Sequence, residues 1–161
     1  MHADTPRKGQ SFQLPGTMVT FLGLAADTNG SFSLFDARVA PQQGTPLHQH
    51  TDDEAFLVLA GTFQFQIEDQ HLPLGPGGFA FISRQKRHRY FNSSAEEEGR
   101  LLVITLPAGN HERFFAEAGE PKANASEPIS TEPPDIEKLV TVGKRYGIEI
   151  LPPSSSEDRH A

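Results

Sequence analysis

The sequence predicts an all-β fold, a sandwich or small barrel with a short helical C-terminal extension, and three observations carry that expectation. Stretches of strand length recur about every 8–12 residues from residue 12 to residue 106. Within them apolar and polar side chains alternate with period two, most cleanly where Phe63, Phe65 and Ile67 oppose Gln64, Gln66 and Glu68. The joints between them are rich in the chain's 14 Gly and 13 Pro. The βαβ alternation of a parallel fold is missing from this region.

Taken in order, residues 18–24 read as a strand that runs into Asp27-Thr28-Asn29-Gly30, where Asn-Gly is a strong hairpin signal. Residues 31–39 alternate again, with Phe32, Leu34 and Asp36 on one side and Ser33, Phe35 and Ala37 on the other. A Pro/Gly corner follows at 41–46. Residues 55–59 are apolar on both faces, the pattern of a strand covered on both sides. Gly61 opens the strand 63–68, and a turn at Asp69-Gln70 leads towards Leu72 and Leu74. Leu74-Gly75-Pro76-Gly77-Gly78 breaks the chain before a strand at 79–82, and strands at 88–92 and 100–106 complete the series.

Beyond residue 109 the pattern changes. Asn110 is placed to cap a short helix with Phe114, Phe115 and Ala118 on one stripe, and Gly119 to stop it. Residues 121–134 form a polar, Pro-bearing connector. Residues 135–146 read as a second helix whose Ile136, Leu139, Val140 and Gly143 share a face, with Gly147 as terminator and Ile148, Ile150 and Leu151 apolar enough to dock. The expected organisation is a flexible N-terminus at 1–11, a barrel at 12–109, a helical extension packed on the barrel at 110–151 and a disordered Ser-rich tail at 152–161.

A length of 161 residues fits one domain, and the net charge of −7 argues against nucleic acid or an anionic membrane as partner. Twelve of the aromatic residues are Phe, which compensates for a hydrophobic fraction of only 36%. With no Cys, disulfide scaffolds, zinc ribbons and thiol nucleophiles are excluded. No apolar run approaches the ~20 residues of a membrane span, and the first residues lack the apolar core of a signal peptide. The expectation is a cytoplasmic protein whose partner is a small-molecule substrate.

Four residues carry chemistry: His48, His50, Glu54 and His88. In an extended segment His48 and His50 project from one face. Glu54 opens the next strand and can return to that face, while His88 begins a later strand and can approach across the sheet. Three imidazoles and a carboxylate suit one divalent first-row transition metal, and spacing alone leaves Fe, Mn, Ni, Co, Cu and Zn open. By strand parity Phe56 shares the inward face with Glu54, and Tyr90 shares it with His88, which expects an apolar pocket.

These residues resemble the two motifs of the cupin superfamily. His48, His50, Glu54 and Gly61 stand at the intervals of the first, and Gly77, His88 and Asn92 at those of the second. Three positions depart: Gln42 for the first motif's leading Gly, and Ser83 and Gln85 for the Pro and Gly of the second. They shape turns and bind nothing, although Gln85 would be awkward if its φ were positive. The resemblance covers about residues 12–107 and implies a double-stranded β-helix, or jelly-roll, barrel with a metal inside one mouth.

Among cupins the chain looks most like small single-domain members of the quercetin dioxygenase-like type, through Asp53-Glu54-Ala55-Phe56, Leu59-Ala60-Gly61, Phe114-Phe115 and Ile148-Glu149-Ile150. That resemblance implies a dioxygenase acting on a hydrophobic or aromatic enol or phenol such as a flavonol. Glu54 is then both ligand and candidate catalytic base, and Phe56 and Tyr90 contact the substrate. Two other roles remain open. One is a sugar or keto-acid isomerase or epimerase, using cations among Arg84, Lys86, Arg87, Arg89 and Arg38. The other is a non-catalytic small-molecule-binding protein. Leu57 and Leu59 face away from the pocket and need a cover, and with the pairing common among cupins this leads to the expectation of a homodimer.

Overall fold

The computed structural model describes residues 5–152. The alternating segments form β1 (Ser11–Leu14), β2 (Thr17–Gly23), β3 (Ser33–Val39), β4 (His48–His50), β5 (Asp53–Ala60), β6 (Phe63–Ile67), β7 (Gln70–Leu74), β8 (Phe79–Ile82), β9 (His88–Asn92) and β10 (Gly99–Leu106). The extension supplies β11 (Glu120–Lys122) and β12 (Ile148–Ile150), and helices α2 (Asn110–Ala118) and α3 (Ile136–Arg145) follow a single helical turn, α1 (Ala25–Thr28). All strand pairs are antiparallel. One sheet runs β11-β1-β2-β3-β10-β5-β8, the other β12-β4-β9-β6-β7. Together they make a jelly-roll barrel.

The core lies between the two sheets. Period-two alternation turns Phe21, Phe35, Phe56, Val58, Leu101 and Val103 inward from the first sheet, and Phe63, Phe65 and Tyr90 inward from the second, into one buried cluster. Each fully buried Phe contributes about 1.5–3 kcal/mol. The rings meet tilted or edge-on, as Phe56 does on Tyr90 at 5.6 Å and 66°. Gly44 lets the corner after β3 press onto β9, because a Cβ there would stand 2.0 Å from the Tyr90 carbonyl oxygen.

The hairpin between β2 and β3 is present, but its connection is longer than an Asn-Gly turn. α1 intervenes because Asp27 Oδ2 accepts from the Leu24 N–H at 2.9 Å and bends the chain first. Asn29 and Gly30 then take positive φ at the end of that turn. At the N-terminal end, residues 7–10 are tied down where a loose segment was expected. Gly9 N–H donates to the Phe21 carbonyl and Phe21 N–H to that of Gln10.

The extension packs on the barrel. Phe115 stands edge-on to Phe35 at 5.0 Å and 88°. Asn110 is the first helical residue of α2 rather than its cap, which is Gly109, because its side chain turns away to another partner. The connector after α2 is not wholly irregular: β11 pairs with β1 through its backbone, a pairing that Glu120-Pro121-Lys122 does not advertise by alternation. Asp135 caps α3 by accepting from the Lys138 N–H at 3.1 Å. The buried stripe of α3 is Leu139, Val142 and Gly143, rotated from the expected one, with Ile136 49% exposed. Gly143 keeps its expected place on the stripe, where it passes close under Ile148, whose carbonyl oxygen would lie 2.6 Å from a Cβ. Ile148 docks as expected, and β12 joins the edge of β4. The disordered tail expected at 152–161 falls outside the described residues from 153 onward.

Candidate metal centre and cavity

The strand ladders bring the four sequence-predicted residues together from both sheets. His48 and His50 lie two apart on β4, and His48 is the register partner of His88 on β9. Glu54 comes from β5 in the other sheet, where Ile82 and Thr105 are its neighbours. β4 has only three residues and is buttressed by β12 on its other side, in the pairs Ile148↔His50, Glu149↔Gln49 and Ile150↔His48. The loop before β9 folds onto this strand, with Gln85 N–H donating to the His50 carbonyl at 2.8 Å. Gln85 does adopt positive φ (66°), as does Gln42 (61°), so two motif glycines are replaced by residues held in the left-handed region.

Each ring has one nitrogen committed to the backbone. Nδ1 donates at 2.8 Å to the carbonyl of Pro46 from His48, of Asp52 from His50 and of Lys86 from His88. A carbonyl only accepts, so the proton of the neutral ring is on Nδ1 and the Nε2 lone pair is free for a cation. The ligand atoms of His48, His50, Glu54 and His88 all lie within 4.8 Å of one another. An ion bonded at about 2.1 Å holds its ligands roughly 3–4.2 Å apart, so the set fits a transition-metal ion with small adjustment. Glu54 Oε1 stands 3.2 Å from His50 Nε2 and 3.1 Å from His88 Nε2. Acceptors this close need a proton or a cation between them.

Burial by itself would raise the Glu54 carboxyl, but His50 and His88, which donate from Nε2 once the ring takes up a second proton, outweigh it and hold the group well below the usual carboxylate range. Burial, then the charges of His88 and His50, keeps His48 well below the ordinary imidazole value. His50 moves the other way: burial opposes protonation, yet the bond and charge of Glu54 raise it. Thr105 adds one orphan. It is wholly buried opposite Glu54, and its hydroxyl has no hydrogen-bond partner among the described residues.

The four residues sit beside a cavity of about 660 Å³, to whose lining His48 and Glu54 belong. That size falls within the range of small-molecule sites. The lining is mainly apolar and includes Phe56 and Tyr90, as strand parity predicted, together with Phe35 and Val103 from the barrel. The extension supplies Phe114, Phe115, Leu139, Ile148 and Ile150 on the other side, with Ile136 also in the wall. Burial raises the Tyr90 phenol above its usual range, so it stays protonated, and it is hydrogen-bonded to Thr17.

Three arginines in and beside the loop before β9 turn to partners of their own, and Lys86 is exposed outside the cavity lining. Arg84 pairs with Asp53 at 3.1 Å, Arg87 with Glu68 at 3.1 Å, and Arg89 donates to Gln66 Oε1 at 2.7 Å. Arg38 pairs with Glu98 at 2.8 Å on the outside of β3. Of these only Arg89 borders the cavity.

Sequence reasoning missed a second buried polar group. Asp52 is 1% exposed, and His111, on the first turn of α2, is 4% exposed. Asp52 Oδ2 accepts from His111 Nδ1 at 3.0 Å, and Asp52 Oδ1 accepts from Asn110 Nδ2 at 3.2 Å. His111 lines the cavity with Glu54 and stands edge-on to His50, ring centroids 4.6 Å apart. The local sequence signal was weak: Asp52 is one of two adjacent Asp residues, and Asn110 reads as a cap.

Comparison with known proteins agrees with the fold. A family profile described as the cupin domain matches residues 35–105. No curated protein matches the chain by sequence. Among solved structures, an RmlC-like cupin from Shewanella frigidimarina superposes with a TM-score of 0.56 at 16% identity, covering 67% of this chain and 92% of that one. The protein plu4264 from Photorhabdus luminescens gives 0.53 at 21% identity, covering 66% and 83%. The polyketide cyclase RemF from Streptomyces resistomycificus gives 0.51 at 24% identity, covering 66% and 77%. These neighbours share the fold of the barrel. The profile covers less than half of the chain, and the residues it matches include all four of the cluster.

Proposed function

We propose that the protein is a metal-dependent oxidoreductase, a dioxygenase acting on a small hydrophobic or aromatic enol or phenol such as a flavonol. The observation that carries this reading is the convergence of three imidazole Nε2 atoms and one carboxylate on the wall of a largely apolar cavity. In it His48, His50, Glu54 and His88 hold one divalent transition metal, and Phe56 and Tyr90 contact the substrate. Such an ion, when bound, supplies Lewis acidity to an enol or phenol oxygen and open positions for dioxygen.

The chain's own residues do the rest. Phe56 and the extension's apolar side chains exclude water from the substrate, and Tyr90, kept protonated by burial, presents a neutral edge. Glu54, with its lowered pKa, is a ligand first and only a weak base towards a substrate proton. An isomerase acting on a phosphorylated or carboxylated substrate would need unengaged cations in the cavity. The arginines that might serve it are paired with Asp53, Glu68 and Glu98 or bonded to Gln66.

The test is oxygen uptake by protein reconstituted with Fe, Mn, Co, Ni, Cu or Zn in turn, using flavonols and simpler enols. Turnover with at least one metal is expected. Tight ligand retention with no oxygen consumed under any metal would overturn catalysis and leave a binding protein. The cytoplasmic location belongs to the same proposal and is checked by cell fractionation.

We also propose that two copies of the chain pair along β8. The sheets end in four strands, and three of them carry Pro or charge: β11 (Glu120, Pro121, Lys122), β7 (Pro73) and β12 (Glu149). β8 is Phe-Ala-Phe-Ile with neither device, and Phe79 and Phe81 are 59% and 53% exposed beside exposed Leu59. Such an edge invites another strand, and an identical β8 about a two-fold axis sets Phe against Phe. Light scattering at micromolar concentration should give twice 17.7 kDa, and Phe81→Lys should halve that mass. A wild-type monomer would refute the pairing.

A further inference from the structure

We propose that His111 is the residue that reads the substrate's polarity, accepting a hydrogen bond from a hydroxyl on the compound held beside the His/Glu cluster. This rests on the reading that the cavity takes a hydrophobic enol or phenol, and it narrows that class to compounds bearing a second hydroxyl.

The tautomer follows from the partners. The Asp52 carboxylate is buried and only accepts, so the proton it binds is on His111 Nδ1, and Nε2 of the neutral ring is a lone-pair acceptor. Nε2 makes no hydrogen bond within the described residues, while its ring lines the cavity alongside His48 and Glu54. The ring's orientation is over-determined. It stands edge-on to His50 at 89° and packs on Phe115 at 5.9 Å.

The first turn of α2 is fastened on both sides of His111. Asn110 donates to Asp52, and Glu112 Oε1 accepts from Ser33 Oγ at 2.6 Å and from the Ala25 N–H at 2.7 Å. The group therefore cannot swing away without breaking buried bonds.

A purely structural role explains this poorly. Burying a carboxylate and an imidazole costs several kcal/mol of desolvation, and well-packed apolar residues would hold the helix as firmly. Phe114 and Phe115, three and four residues on, already do so. The directional acceptor placed in an apolar wall beside the cluster is the gain. A hydroxyl-bearing compound satisfies it, whereas one lacking the hydroxyl leaves it bare.

The experiment uses full-length cobalt(II)-loaded protein, with catechol and its monomethyl ether guaiacol as probes and the cobalt visible spectrum as the readout of binding. Wild type should bind catechol about five- to tenfold more tightly than guaiacol. His111→Phe keeps the ring's volume and should abolish the preference with cobalt stoichiometry unchanged. Asp52→Asn offers an amide N–H to Nδ1 and so moves the ring proton to Nε2, which should reverse the preference. Nitrogen-15 spectra of the histidine side chains give a readout independent of ligand: Nε2 of His111 should be unprotonated in wild type and protonated in Asp52→Asn. A protonated wild-type Nε2, an unchanged preference in His111→Phe, or loss of cobalt from that variant each overturns the inference. If neither probe perturbs the cobalt spectrum, the enol/phenol reading of the cavity fails, and the inference fails with it.

Discussion

The two walls of the cavity are built differently. The barrel wall sets the four candidate metal ligands on paired strands, as in the seven register pairs that join β10 to β5, the strand of Glu54. The extension wall is a pair of helices and one three-residue strand, and it contributes apolar surface with a single polar ring, His111. The difference separates two tasks. In the proposed reading, coordination depends on the frame, which tolerates little displacement, while the choice of ligand depends on the cavity-facing side chains of the appended segment. The walls meet where β12 of the extension buttresses β4 of the barrel, where Phe115 packs on Phe35 and where His111 is hydrogen-bonded to Asp52.

The largest expected effect breaks the barrel wall. Replacing His48 and His50 together by Ala should abolish stoichiometric metal in purified protein by elemental analysis, because two of the four donors are lost. Next comes the seam between the walls. Ile148 is 3% exposed under α3, and Ile148→Ala should cost about 2–4 kcal/mol in urea unfolding and weaken metal binding as β4 loses its buttress. Ile136 borders the same cavity but is 49% exposed, so Ile136→Ser should change stability by no more than ~0.5 kcal/mol while altering ligand affinity. Equal losses from both substitutions would erase the distinction drawn between the seam and the cavity wall.

A smaller effect is electrostatic and is read on the metal-free protein. The folded-state pKa of Glu54 is held well below its ordinary value of 4.5. Its stabilisation is fully present above that value and is lost as pH falls through the folded pKa, because the unfolded chain takes up the proton first. Glu54→Gln should therefore flatten the acid limb of the stability profile below about pH 4.5. A limb equally steep in the variant would mean that the His50 and His88 bonds do not govern this carboxyl.

The smallest effect concerns the turn that carries the loop onto β4. Gln85 holds a φ of 66°, a conformation costing a non-glycine residue about 1–2 kcal/mol, part of which glycine's extra freedom in the unfolded chain offsets. Gln85→Gly should stabilise the protein by up to ~1 kcal/mol. No gain would indicate that the Gln85 side chain makes up for its backbone.

What was legible in the sequence divides along the same line. The strands and the cluster declared themselves because their signals are local. Alternation needs only neighbours, His48 and His50 share a face by parity, and Glu54 follows within the same short stretch. His88 was reached by its register in the second motif, and Phe56 and Tyr90 by the parity of the strands carrying ligands. The extension's elements were visible as a helix–connector–helix pattern, but not the face that α3 turns inward, which takes in Val142 in place of Ile136 and Val140. β11 escaped notice because an edge strand held by its backbone needs no apolar alternation. The Asp52–His111 pair was hidden for a different reason: its members are 59 residues apart, and neither sits in a pattern that marks it as buried. Leu59, expected to be covered, stays 41% exposed in the single chain, which is where the proposed pairing begins.

The account stands or falls on one ion held by both sheets at once. Anomalous diffraction from crystals of protein reconstituted with cobalt or zinc tests this most directly. The predicted result is a single strong peak within bonding distance of Nε2 of His48, His50 and His88 and of the Glu54 carboxylate. A peak elsewhere on the chain, or none at saturating metal, would contradict it.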